Sequence, residues 1–159
     1  GHEIVVAAMK SLPNARLMIA GEGNRRSALT ELIAELGLQD RVTLLGAVPH
    51  GEMAELLGAA DVMALASTSE GLANAWIEAL ACGTPIVIPD VGGATEVVTE
   101  RAYGRIVGRS AAGFASGIAA VLADRTPQAA ARAGAERFTW AANAAGLYDH
   151  LAGLVAAAR

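Results

Sequence analysis

Short, mostly apolar runs recur along this chain, and stretches with helical spacing separate them; this alternation constrains the fold more than any other feature. The runs cover residues 16–20, 42–45, 61–66, 86–88 and 105–107, each with the length and aliphatic content of a buried strand. Gly21-Glu22-Gly23 ends the first, Gly46 the second, and Gly92-Gly93 follows the fourth. Strands joined through helices must run parallel, because a parallel pair needs a long crossover, and such sheets are covered on both faces. The expected fold class is therefore α/β with a doubly wound parallel sheet. Ligands of these sheets bind beyond the carboxyl ends of the strands, where the glycine-rich turns fall.

The intervening stretches read as helices. Residues 3–10 place Ile4, Val5, Ala8 and Met9 on one face, residues 27–36 form an amphipathic helix closed by Gly37, and residues 52–57 form a third. A short helix is expected around Glu96, then three longer segments over residues 112–122, 127–138 and 142–157, with Pro127 in a first helical turn. At 159 residues the chain has the length of one domain with one core. Hydrophobic residues make up 53% and aromatics only 4%, so that core is aliphatic and its alanine-rich helices lie close to the sheet.

Other features exclude whole classes of function. The net charge is −4 and the arginines are scattered, which argues against a nucleic-acid partner. Cys82 is the single cysteine, cannot form an intrachain disulfide, and suits a reducing cytosol as a small buried residue. No apolar run approaches the roughly 20 residues of a membrane-spanning helix. No triad or acidic dyad has metal-ligand spacing, so no metal and no cofactor are expected.

The most informative stretch is residues 69–88, a loop, a helix, a turn and a buried strand. Trp76, Ile77, Leu80 and Ala81 share one helical face, Gly83 and Pro85 stop the helix, and Glu78 points away from the apolar face. Glu70 precedes the helix, and Glu78 stands about 6 Å of helical rise beyond Asn74. Between them Gly71, Leu72 and Ala73 offer backbone N–H groups near a helix N-terminus, which favours an anion such as a phosphate. Two carboxylates that accept from hydroxyls, on either side of a phosphate cradle, suit a nucleotide sugar. The same residues could equally be a capping glutamate and a solvated helix face.

Glu70-Gly71, with Glu78 eight positions on, then Ala79-Leu80-Ala81-Cys82-Gly83-Thr84-Pro85-Ile86-Val87 and later Gly92-Gly93 with Glu96, resembles the E-x7-E signature of retaining GT-B glycosyltransferases, family GT4. Phe138-Thr139-Trp140 is similar to a late Phe-Ser-Trp of that family, and the likeness runs almost end to end. It implies a Rossmann-like sheet, the C-terminal half of a GT-B fold, over residues 1–159, with the acceptor-binding N-terminal domain outside this sequence. It also implies that Glu70 accepts from donor-sugar hydroxyls as the catalytic carboxylate, that Gly71, Leu72, Ala73 and Asn74 line sugar and diphosphate, and that Glu78 holds the ribose. Gly21 and Gly23 would pass close to the donor, Val48 and Pro49 would edge the base, and Arg26 matches a common family arginine.

By the same resemblance, an arginine on the family's first strand and a lysine heading its first helix both lie upstream of Gly1. That strand is central in the family's sheet, so its absence leaves a gap or calls for another chain. The implied activity is hexosyl transfer with retained configuration from UDP-sugar, with GDP- or ADP-sugar as alternatives. The implied partners are the nucleotide-sugar donor and the N-terminal GT-B domain. The expected setting is cytoplasmic, with attachment of the parent to the inner membrane face left open, and arginine's dominance over lysine with abundant alanine and glycine suits a GC-rich bacterial genome. The competing readings are one half of a GT-B nucleotide-sugar epimerase and a noncatalytic nucleotide- or partner-binding module.

Overall fold

The structure is a computed structural model that describes residues 1–157. In chain order it comprises α1 (His2–Ala8), a 3-10 turn (Met9–Ser11), β1 (Leu17–Ala20), α2 (Arg26–Glu35), β2 (Val42–Gly46), α3 (His50–Ala59), β3 (Met63–Ala64) and α4 (Asn74–Ala81). There follow β4 (Ile86–Pro89), α5 (Ala94–Val97), β5 (Gly104–Val107), α6 (Ala111–Asp124), α7 (Gln128–Ala133) and α8 (Trp140–Ala157). Every strand pair is parallel, as the crossover argument requires. The strands form two sheets, β1-β2 and β3-β4-β5.

β4 is the centre of the larger sheet, and all four of its residues are buried. Because side chains alternate across a strand, its neighbours divide into two cores where the sequence suggested one. Val87 joins α1, α2, α6 and the smaller sheet through Val6, Ile19, Leu29, Val42, Phe114 and Ile118. Ile86 and Ile88 join α4, α5 and α7 through Trp76, Leu80, Val97 and Ala131. α6 approaches the sheet so closely that a Cβ on Gly117 would lie 2.7 Å from Val107 and 2.9 Å from Val87.

Several boundaries differ from those read in the sequence. The run at 61–66 forms a ladder with β4 only over Met63–Ala64. In α4 it is Ala79, not Ala81, that completes the buried face with Trp76 and Leu80; Ala81 is exposed. In α1, Val6 is fully buried while Ile4 is only partly so. The helix expected over 127–138 shortens to Gln128–Ala133, and Pro127 is its extended N-cap, not its first helical residue. α8 begins at Trp140, where the Thr139 hydroxyl accepts from the Ala142 N–H at 3.1 Å.

Polar ties hold the layers in register. The Thr84 hydroxyl, fully buried, donates to the Leu57 carbonyl at 2.5 Å and so fixes α3 against the turn that precedes β4. Arg41 donates to the carbonyls of Leu12 (2.7 Å) and Met9 (3.0 Å), gathering the chain before β1. α8 leaves Leu147, Tyr148, Leu151, Leu154 and Val155 exposed. Among the described residues, no helix is long and apolar enough to cross a membrane.

Trp76 lies under α5 and α7 on the helix that carries Glu78, so Trp76→Ala opens a large cavity there. A loss of about 3–5 kcal/mol in unfolding free energy is expected, measured by urea denaturation.

Candidate nucleotide-sugar site

The carboxyl edge of the sheets gathers the candidate residues into two clusters. The first lies where β1 and β2 end. Gly21 donates its N–H to the Gly46 carbonyl at 2.7 Å, which binds the two strand ends together. Arg26, the first residue of α2, pairs with Glu22 at 3.5 Å and reaches the Leu44 carbonyl at 3.4 Å. This pair is exposed, so its worth is in geometry more than in stability. His2, Gly21, Glu22, Gly23, Arg25 and Arg26 line a cavity of about 290 Å³. Partial burial lowers the pKa of His2, and Glu3 opposes the shift.

Val48 and Pro49 follow β2 but do not line that cavity. Val48 is partly buried, while Pro49 is exposed and forms the N-cap of α3, its carbonyl accepting from Glu52 and Met53. α3 starts at His50, two residues before the helix read from the sequence at 52–57.

The second cluster is the loop between β3 and α4. Glu70 is partly buried, whereas Gly71, Leu72 and Asn74 are exposed and Glu78 stands exposed one turn into α4. The N-cap of α4 is Ala73, which has no side-chain acceptor for the first-turn amides. Those amides keep their affinity for an anion. The loop rests on the turn after β4, where the Gly93 N–H donates to the Gly71 carbonyl at 2.7 Å. Gly92 has φ +51°, and a Cβ there would lie 2.1 Å from the Glu70 carbonyl oxygen. The sequence marked Gly92-Gly93 as a helix-start turn; its close support of Glu70 and Gly71 is visible only in three dimensions.

α1 connects the clusters. Gly1 is packed directly against Ala66 at the exit of β3, while the adjacent His2 faces the cavity at the exit of β1. Ala66 is also the acceptor for Arg109, whose Nε–H reaches its carbonyl at 2.9 Å from beyond β5. Sequence reasoning passed over Arg109 because nothing distinguishes it from the other scattered arginines. Among the described residues, no three His, Cys, Asp or Glu side chains come together as a metal site would require.

An open parallel α/β domain with glycine turns and carboxylates at its strand exits is a Rossmann-like arrangement. Residues 1–138 match the family model for glycosyl transferases group 1, and the chain belongs to that family. It is 37% identical over 148 residues to the D-inositol 3-phosphate glycosyltransferase of Mycolicibacterium smegmatis, with 87% of this chain and 34% of that protein covered. It is 40% identical over 136 residues to the enzyme of the same name from Nocardia farcinica, covering 82% of this chain and 30% of that protein. The chain thus spans about a third of the length of these relatives.

Among solved structures, sucrose-phosphate synthase from Thermosynechococcus elongatus superposes with a TM-score of 0.84 at 32% identity, covering 99% of this chain and 43% of that one. Anabaena HepE in complex with UDP superposes at 0.83 and 25% identity, covering 96% and 45%. The fold is the Rossmann-like α/β arrangement of GT-B glycosyltransferases.

Gly92→Ala forces a side chain into the Glu70 carbonyl at a backbone angle that costs non-glycine residues about 1–2 kcal/mol. Chemical denaturation is expected to show at least that loss, and limited proteolysis to show faster cleavage within residues 67–73.

Proposed function

We propose that this domain binds the nucleotide-sugar donor of a retaining glycosyltransferase that transfers a hexosyl group, with the acceptor bound by the remainder of a longer protein. The observation that carries this reading is the loop from Glu70 to Ala73, which leads into the uncapped N-terminus of α4, is supported by Gly92-Gly93, and has Glu78 exposed one turn further on. In this reading Glu70 accepts hydrogen bonds from the transferred sugar, and the backbone N–H groups from Gly71 to Asn74 hold diphosphate oxygens. Glu78 accepts from the ribose hydroxyls. Gly21, Gly23 and Arg26 lie toward the nucleotide end, with Val48 and Pro49 at the margin of the base. The complex of HepE with UDP supports UDP as the first nucleotide to test.

Transfer breaks the bond from the anomeric carbon to the diphosphate oxygen and forms one from that carbon to the acceptor oxygen on the same face. The acceptor's hydroxyl proton passes to the departing diphosphate oxygen. Fixed amide dipoles at the head of α4 stabilise the charge that develops there without reorganisation. The exposed apolar side chains of α8 support a covering domain from the rest of the parent protein.

Calorimetric titration of the full-length protein with UDP, GDP and their sugar conjugates tests the assignment. Glu78→Ala is expected to weaken free nucleotide and nucleotide sugar alike by roughly tenfold, the worth of a charge-assisted hydrogen bond. Equal nucleotide affinity in wild type and Glu78→Ala would remove the ribose role. Glu70→Gln is expected to leave UDP affinity within about twofold while lowering turnover at least about tenfold, as for an interaction that strengthens in the transition state.

A further inference from the structure

The loop that carries Glu70 has two fixed points outside its own strand and helix. One is the Gly71 carbonyl, held by the Gly93 N–H after β4. The other is the Ala66 carbonyl, held by Arg109 from the turn that joins β5 to α6. Ala66 is 2% exposed, so its carbonyl belongs to the packed strand exit. Glu70 stands four positions beyond it, between the two anchors.

Arg109 is suited to this role by geometry. β5 is separated from β3 by β4, so only a long side chain leaving the end of β5 spans the interval. Among the described residues Arg109 forms no ion pair, and its Nε–H to Ala66 is a charge-assisted bond. The turn it leaves is itself held. Gly108 backbone packs against Gly113, and the Ser110 hydroxyl accepts from the Gly113 N–H at 3.1 Å as the N-cap of α6. Gly1, at the head of α1, packs on the same Ala66 carbonyl.

We propose that Arg109 is a positioning residue for the transfer reaction: its tether to Ala66 sets where the 67–73 loop, and with it Glu70, meets the sugar. The inference rests on the donor-binding reading for its catalytic consequence, but its structural part stands apart from that reading. Arg109 acts on the sugar end of the site through the loop and leaves the grip on the nucleotide to other residues. A cation that bound the diphosphate directly would instead affect nucleotide and nucleotide sugar together.

The experiment compares wild type, R109A and R109K in the full-length protein. Backbone amide relaxation measured by NMR without any nucleotide reads the tether alone. In R109A the order parameters of residues 67–72 are expected to fall from the rigid range of about 0.85 toward the flexible range below about 0.6, while those of β4 stay rigid. With UDP-sugar, R109A is expected to lower kcat about tenfold with UDP affinity within twofold of wild type. R109K, which keeps a long stem and a donor, is expected to recover part of both effects, and it carries the test should R109A fail to fold.

Unchanged order parameters in the 67–72 loop overturn the proposal, and so does a parallel loss of UDP and UDP-sugar affinity with kcat preserved. A loosened loop in a protein that binds no nucleotide sugar leaves the tether established, and overturns the donor-binding reading and the catalytic role drawn from it.

Discussion

The constraint on which this structure depends is the burial of β4 on both faces. Its side chains alternate between two aliphatic cores, Val87 toward α1 and α6, and Ile86 and Ile88 toward α4, α5 and α7. Fully burying one such side chain stabilises the fold by about 1.5–3 kcal/mol, and β4 does so with no solvent-facing side to accommodate error. A register slip of one residue would exchange the two cores, which differ in shape: one is filled by Phe114 and Ile118, the other by Trp76 and Leu80. Helix, strand and sheet order therefore lock together around one four-residue segment.

From that lock follows the geometry of the carboxyl edge. β3, β4 and β5 end side by side, so the loops that leave them are forced into contact. The β4 exit supports Glu70 and Gly71 through Gly92-Gly93, and the β5 exit reaches Ala66 through Arg109. Small residues make this possible. With a Cβ at Gly92 the loop could not lie where it does, and with one at Gly117 α6 would stand further from the sheet. The cavity at the ends of β1 and β2 is the other half of the edge, and α1 joins the halves by touching Ala66 with Gly1 and the cavity with His2.

Much of this was legible in the order of residues. The apolar runs and glycine turns carry the parallel α/β class, and the segment from Glu70 to Val87 carries the family, because its residue types at fixed spacing are rare by chance. The errors have a common source. Ala81 and Ala79 are chemically alike, so periodicity alone could not decide which one faces the core. The run at 61–66 has strand composition throughout, yet only Met63–Ala64 pairs with β4, and composition alone does not mark where pairing stops. Pro127 suits either the first helical position or the cap, and its extended ψ of 139° places it at the cap.

By itself the sequence determined what local physics can encode: which segments are strands or helices, where glycine breaks them, and that two carboxylates flank a helix start. Only the tertiary structure decided that the strands divide into two sheets, that the core is two cores, and that Gly93 and Arg109 hold the Glu70 loop at Gly71 and at Ala66. The reason is one of range. Periodicity and turn chemistry act over a few residues, whereas the bond from Arg109 to Ala66 joins positions 43 apart, and such a contact exists only once the strands between them have packed.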